Sequence, residues 1–268
     1  MTVLQSFFLG ILQGLTEFIP VSSTAHLLIA QHFMGIDPGE TGPFAFSVLI
    51  QLGTLLALVV YFAKDIWKII KAFFAKPFST PENKLAWYII IATIPALIAG
   101  YLLKDSVKAL FRTPMLEAAI RLLTAALLLT LAEWLTKKSR KLDSMTWLDA
   151  LFIGLMQVIA IFPGASRSGT TISGGMFLGL DRKSAARFAF LMSIPVMLAA
   201  GGFEMLGVFK LPDLSSFLPV LAVGFITAAI VGWFAVKWLL GYLNKHSLYA
   251  FAIYCAVLGV SCLIFALL

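Results

Sequence analysis

Apolar residues run through the 268-residue chain in long blocks separated by short polar connections. Blocks at roughly 45–63, 86–103, 115–135, 186–208, 216–239 and 248–268 each approach the ~20 residues a helix needs to cross a bilayer. Two further apolar stretches, 2–34 and 147–180, break near their middles, at Pro20 with Ser22-Ser23 and at Pro163-Gly164. Proline stops a helix because it has no N–H to give and its ring crowds the preceding turn. Two full spans and a turn would need about 40 residues, and the arms after these breaks have only about 12–14. Both stretches are therefore expected to be re-entrant helical hairpins. Such irregular backbone persists at membrane depth only where protein buries it or it lines a wet cavity.

The two hairpins resemble each other. Phe8-Leu9-Gly10 with Gln13 matches Phe152-Ile153-Gly154 with Gln157 at an offset of 144, and Phe44-Ala45-Phe46 recurs as Phe188-Ala189-Phe190. Gly100-Tyr101 resembles Gly232-Trp233 at an offset of 132. One membrane domain, 1–268, is expected to hold two copies of a unit, approximately 1–140 and 145–268. Each copy would be a hairpin followed by three spans. Three is odd, so the copies must point in opposite directions. The expected fold is all-α: six transmembrane helices plus two re-entrant hairpins in an inverted-topology repeat. Such repeats place their site near the midplane, where they meet.

Composition agrees. The chain is 60% hydrophobic and 12% charged, with mean hydropathy +0.97, against roughly 25% charged in soluble domains. The net charge of +7 then reflects loop placement, not nucleic-acid binding. Under the expected topology fourteen Lys and Arg residues fall on one side, in the connections around 64–85, 137–141, 182–187 and 237–245. Only Lys104, Lys108, Arg112 and Lys210 fall on the other. The positive-inside rule puts the fourteen in the cytoplasm and both termini outside. Cys255 and Cys262 are seven apart in the last block. That is about 10.5 Å of helical rise, beyond disulfide reach. The N-terminus has no basic region and small-residue cleavage site, so no removable signal peptide is expected. His32 and His246 fall near segment ends, and Glu133 and Glu204 near span ends are expected to reach out to water.

Against this hydrocarbon, Gln13 to His26, QGLTEFIPVSSTAH, is unusual. Gln13 and Glu17 are four apart and share one helix face. Ser22 or Ser23 suits the start of a new helix, where a hydroxyl caps free N–H groups. Ser23 and His26, three apart, would share a face just inside it. Five polar groups converge on a break near the positive end of a helix dipole, which describes an anion site. The second hairpin carries PGASRSGTT, Pro163 to Thr171, which sets Arg167 among Ser166, Ser168, Gly169, Thr170 and Thr171. Arginine's planar fork suits phosphate, and small residues let backbone N–H groups approach an anion. Of the basic residues only Arg121 and Arg167 fall outside the connections. Arg121 has Glu117 four residues before it as a partner. Arg167 has none in sequence, and an ionisable group at membrane depth marks function. Its expected counter-charges are a bound phosphate and Glu17. Ser22 by itself reads as a cap, and Gln157 as packing or hairpin hydrogen bonding.

Gln-x-x-x-Glu before PVSSTxH, with PGxSRSxxT about 140 residues later, resembles the bacterial undecaprenyl-diphosphatase (bacitracin-resistance, BacA/UppP) family over essentially the whole chain. The resemblance implies an enzyme of the bacterial cytoplasmic membrane that removes one phosphate from undecaprenyl diphosphate or related prenyl diphosphates. It would recycle the lipid carrier of cell-wall synthesis, at a site opening outward, with a divalent cation such as Mg²⁺ or Ca²⁺. It implies Ser23 as nucleophile, His26 as its base or as leaving-group acid, Arg167 as phosphate clamp, and Glu17 with Gln13 as metal ligands. Gln13, Ser22, Thr24, Ser166, Ser168, Gly169 and Thr171 follow as substrate contacts. Many members carry Glu where this chain has Gln13, and an amide offers a metal its oxygen without charge. Inverted repeats also serve transporters and lipid flippases. The Ser23/His26 pair beside a carboxylate favours hydrolysis, because binding alone does not require it. A homodimer is left open.

Overall fold

A computed structural model describes residues 1–108, 113–160, 165–208 and 214–268. The break at Pro163-Gly164, Arg112, Lys210 and the side chains of Lys104, Lys108 and Glu204 lie outside what is described. The described chain is helical: α1 (Val3–Thr16), α2 (Ser23–Phe33), α3 (Thr41–Tyr61), α4 (Ala63–Phe73), α5 (Pro81–Lys108), α6 (Pro114–Leu135), α7 (Trp147–Ile159), α8 (Arg167–Phe177), α9 (Arg182–Val208), α10 (Leu214–Tyr242) and α11 (Tyr249–Leu267). Six of these, α3, α5, α6, α9, α10 and α11, are long and apolar enough to cross a membrane. They match the six apolar blocks. At 1.5 Å per residue, α1 is about 21 Å long and α2 about 17 Å, and α7 and α8 are similar. None of the four reaches the ~30 Å of a hydrocarbon core.

Local chemistry explains where these short helices start. Thr2 accepts from the Gln5 amide and the Gln5 side chain accepts from the Thr2 amide, a capping box that opens α1. Thr146 and Asp149 repeat it at the start of α7. Ser22 caps α2 by accepting from Ala25 N, and Ser166 caps α8 by accepting from Gly169 N. Packing then fixes the partners. A Cβ at Gly10 would sit 2.7 Å from the Gly224 carbonyl oxygen, and one at Gly154 would sit 2.5 Å from that of Ala92. These glycines let α1 lie directly on α10 and α7 on α5.

Three expectations change. The lysine-rich segment 64–85 is a loop only over 74–80. Lys64, Lys68 and Lys71 lie on α4, whose Trp67 and Ile70 are exposed, because charged and apolar residues alternate there with helical period. Lys237 lies inside α10, with its ammonium 5.1 Å from the centroid of the Trp233 ring. Glu133 does not reach out to water. It is buried and accepts from Arg182 Nε at 2.6 Å, Arg182 Nη2 at 2.7 Å and Leu248 N at 2.8 Å, with Lys138 Nζ at 3.0 Å. Donors from three separate segments satisfy the carboxylate inside the fold, so it ties α6 to the start of α9 and the approach to α11. Nearby, Arg140 pairs with Asp149, Lys141 with Asp181 and Arg187 with Asp65. Three of the four basic segments, around 64–85, 137–141 and 182–187, are thus joined by ion pairs. Cys255 and Cys262 are free and buried.

Candidate active site

Glu17 is the residue after α1, and its N–H closes that helix on Gln13 O at 3.0 Å. The residue is 5% exposed. Gln13 Nε2 donates to Oε2 at 2.8 Å, and Ser23 Oγ donates to the same oxygen at 2.6 Å. Arg167 Nη2 from the other broken pair bonds to Oε1. One carboxylate therefore collects an amide, a hydroxyl and a guanidinium from both breaks. Ser168 Oγ adds a contact to Ile19 O at 3.4 Å.

Ser22 is held in the left-handed region, at φ 68° and ψ 91°. A non-glycine residue there is strained and persists only when its surroundings fix it. Two contacts do so. Its hydroxyl caps α2, and its carbonyl oxygen lies 2.8 Å from His26 Nδ1. A carbonyl can only accept, so Nδ1 carries a proton. In a neutral ring Nε2 is then the acceptor, and Tyr254 OH lies 2.7 Å from it with the two rings stacked. Both ring nitrogens of His26 are thus occupied away from Ser23. The shared face read from the sequence does not bring the pair together.

Arg167 opens α8. Thr170 and Thr171 hydroxyls donate to its carbonyl at 3.0 and 2.8 Å. Ser166 and Ser168 hydroxyls are 3.3 Å apart. A Cβ at Gly169 would lie 3.1 Å from Ser166 Cβ, so the glycine makes room for the cap. The starts of α2 and α8, positive ends of two helix dipoles, both face one cavity of about 590 Å³. Glu17, Ser22, Ser23, Thr24, Ser166, Arg167 and Ser168 line it. Gln13, His26, Gly169 and Thr171 do not. They stand behind it and brace the residues that do.

Three residues escaped the sequence reading of the site. Gln157, read as packing or hairpin hydrogen bonding, lines the cavity, and neither of its amide atoms has a partner among the described residues. The repeat match to Gln13 was the signal that could have raised it. Tyr254 holds His26 from a helix 228 residues away, and nothing local announces it. Arg121 pairs with Glu117 at 2.9 Å as expected, yet also lines the cavity and donates to Ala165 O at 3.4 Å. No cluster of three or more His, Cys, Asp or Glu able to hold a metal occurs among the described residues.

Six helices long and apolar enough to cross a membrane, with two broken helix pairs that place a carboxylate, a hydroxyl and a guanidinium on one apolar-walled cavity, fit a multi-pass membrane protein. The family model for bacitracin resistance protein BacA matches residues 6–261, and the chain belongs to that family. It is 43% identical over 277 residues to an undecaprenyl-diphosphatase of Chlorobium phaeobacteroides (strain BS1), covering 98% of this chain and 96% of the relative. The undecaprenyl-diphosphatase of Myxococcus xanthus (strain DK1622) is 42% identical over 270 residues, with 98% and 89% covered. That of Mycobacterium ulcerans (strain Agy99) is 42% identical over 267 residues, with 97% and 95% covered.

Proposed function

We propose that this chain hydrolyses undecaprenyl diphosphate to undecaprenyl phosphate and inorganic phosphate at the cavity between its two broken helix pairs. The observation that carries the reading is the Glu17 carboxylate, which holds both the Ser23 hydroxyl and the Arg167 guanidinium at the cavity wall. Arg167 grips the diphosphate, whose negative oxygens compete for the guanidinium that Glu17 now holds. Ser23 Oγ attacks the terminal phosphorus and its proton passes to Glu17 Oε2, which already accepts it. The bond from that phosphorus to the bridging oxygen breaks, and undecaprenyl phosphate leaves with the electron pair. Water then cleaves the phosphoserine, releasing phosphate and restoring the serine. His26 acts as a positioning group: it locks the strained Ser22 carbonyl and so fixes the direction of Ser23. The apolar walls given by Leu97, Val196 and Phe203 suit the prenyl part.

A divalent cation fits the donor set in type. Glu17 offers a carboxylate, and Gln13 Oε1 is buried without a partner among the described residues. Mg²⁺ is commonly held by one or two carboxylates together with substrate phosphates. Bound there, it would neutralise charge on the phosphoryl oxygens. Excess EDTA should then abolish turnover and Mg²⁺ or Ca²⁺ restore it. Gln13→Glu should lower the half-saturating metal concentration several-fold. Full activity in EDTA, or an unchanged titration in the variant, would remove the metal or Gln13 from the reading.

The fold is proposed to be an inverted repeat with two re-entrant hairpins. The capping residues of α1 and α7, and of α2 and α8, match at the offset of 144. The close contacts Gly10–Gly224 and Gly154–Ala92 exchange halves in the way a twofold relation requires. The termini and the cavity mouth are proposed to face outward across the bacterial cytoplasmic membrane, with the cluster of basic connections inside. To test this, Cys255 and Cys262 are replaced and single cysteines are placed at the exposed positions Gly39 and Lys76. A membrane-impermeant thiol reagent should label Gly39→Cys in intact cells and spare Lys76→Cys. The opposite pattern would invert the topology.

Phosphate release by the purified protein from a prenyl diphosphate tests the function itself. Transfer of the lipid across proteoliposome membranes without phosphate release would overturn the reading in favour of a flippase.

A further inference from the structure

Gln157 lies in the last turn of α7 and lines the cavity that holds Glu17, Ser23 and Arg167. It is 2% exposed, and neither Nε2 nor Oε1 has a hydrogen-bond partner among the described residues. Buried polar side chains are nearly always satisfied, because an unmet donor or acceptor has lost water and gained nothing. A residue serving only to pack would do better as leucine. The repeat shows what is missing. Gln13, its counterpart 144 residues earlier, gives Nε2 to Glu17 four residues on. Four residues after Gln157 the sequence has Ile161 instead of a carboxylate. Of the other charged groups that line the cavity, Arg121 and Arg167 are donors, and the Glu17 carboxylate is already taken by Gln13, Ser23 and Arg167. An acceptor for the Gln157 amide must therefore arrive with a ligand.

We propose that Gln157 is a substrate-binding residue. Its Nε2 donates to a phosphate oxygen of a diphosphate gripped by Arg167, and its Oε1 accepts from a water in the same ligand shell. The identity of the ligand rests on the diphosphatase reading above, while the unsatisfied amide does not. Four of the groups then round the anion come from the second broken pair: the Arg167 fork, the Ser166 and Ser168 hydroxyls and the Gln157 amide. The first pair supplies the reacting Ser23 and Glu17.

The test compares wild type, Gln157→Leu and Gln157→Glu as purified full chains. Two readouts are taken: thermal unfolding with and without inorganic pyrophosphate, and steady-state kinetics with a prenyl diphosphate. Leucine removes two unsatisfied atoms at similar volume, so Gln157→Leu should melt at or above the wild-type temperature without ligand. The stabilisation given by pyrophosphate should shrink several-fold in that variant. KM should rise about tenfold with kcat within about twofold, as for loss of a hydrogen bond to a charged group made equally in ground and transition states. Gln157→Glu should raise KM further, since it sets a carboxylate against phosphate. A Gln157→Leu protein with wild-type KM and wild-type stabilisation by pyrophosphate would overturn the proposal and leave Gln157 as packing. So would a Gln157→Leu protein that melts well below wild type without ligand, because the amide would then have a structural partner. Should the wild type release no phosphate, yet be stabilised by pyrophosphate in a Gln157-dependent way, the diphosphatase reading fails and the Gln157 site stands.

Discussion

Arg167→Lys should fold like the wild type and turn over prenyl diphosphate about a hundredfold more slowly, as expected for an arginine that stabilises a transferring phosphoryl group. The choice of lysine matters because Glu17 is almost fully buried. Removing its cationic partner outright would leave a buried charge unpaired, which costs about 3–5 kcal/mol. Lysine keeps the charge and so keeps the fold. It loses the planar fork that reaches two phosphate oxygens at once. It also disturbs the start of α8 little, because the Thr170 and Thr171 hydroxyls hold the backbone carbonyl of residue 167 and not its side chain. Thermal unfolding and phosphate release, measured on the same preparation, separate the two effects. Near-normal turnover would show that a point charge suffices and that the bidentate grip is not used. A collapse of stability would show that the ion pair with Glu17 is mainly structural.

Much of this was legible in the sequence because the bilayer demands runs of about twenty apolar residues and punishes broken backbone. The six spans, the two breaks and the Glu17–Arg167 pairing follow from that demand and from where polar residues interrupt the pattern. The misreadings share a cause: they depend on contacts between segments far apart in sequence. Glu133 looked like a span-end carboxylate, yet Arg182 and Leu248 fold over it. Of the two groups that hold the His26 ring, Ser22 O and Tyr254 OH, the second comes from a helix 228 residues away. Nothing local marks the left-handed backbone of Ser22, which turns the following hydroxyl toward Glu17. Segment 64–85 was misread for a different reason: counting charges hides their helical spacing on α4. Gln157 was visible as a repeat of Gln13. Its lack of a partner is a property of the packed cavity that no linear pattern contains.

Ser23→Ala should lose at least about a thousandfold in turnover while still binding the substrate, since removing a nucleophile costs far more than removing one binding contact. Ser22→Ala, one residue earlier, should lose much less in turnover and show its effect in stability, by about 1 kcal/mol, as a lost helix cap. The difference rests on direction. Ser22 Oγ points into its own helix at Ala25 N, whereas Ser23 Oγ points across the break at a carboxylate 2.6 Å away. That carboxylate can accept the serine's proton, the guanidinium beside it can donate hydrogen bonds to a phosphate, and the α2 dipole would favour negative charge growing on the Ser23 oxygen. Rapid quench of the wild type with terminally labelled prenyl diphosphate should trap label on Ser23. His26→Ala should slow formation of that intermediate by releasing the Ser22 carbonyl, and Tyr254→Phe should do so more weakly. If Ser23→Ala instead keeps more than about a tenth of wild-type turnover, no phosphoserine lies on the path. Water would then be the attacking group, with Glu17 as its base and Ser23 reduced to a hydrogen-bond donor on the phosphate.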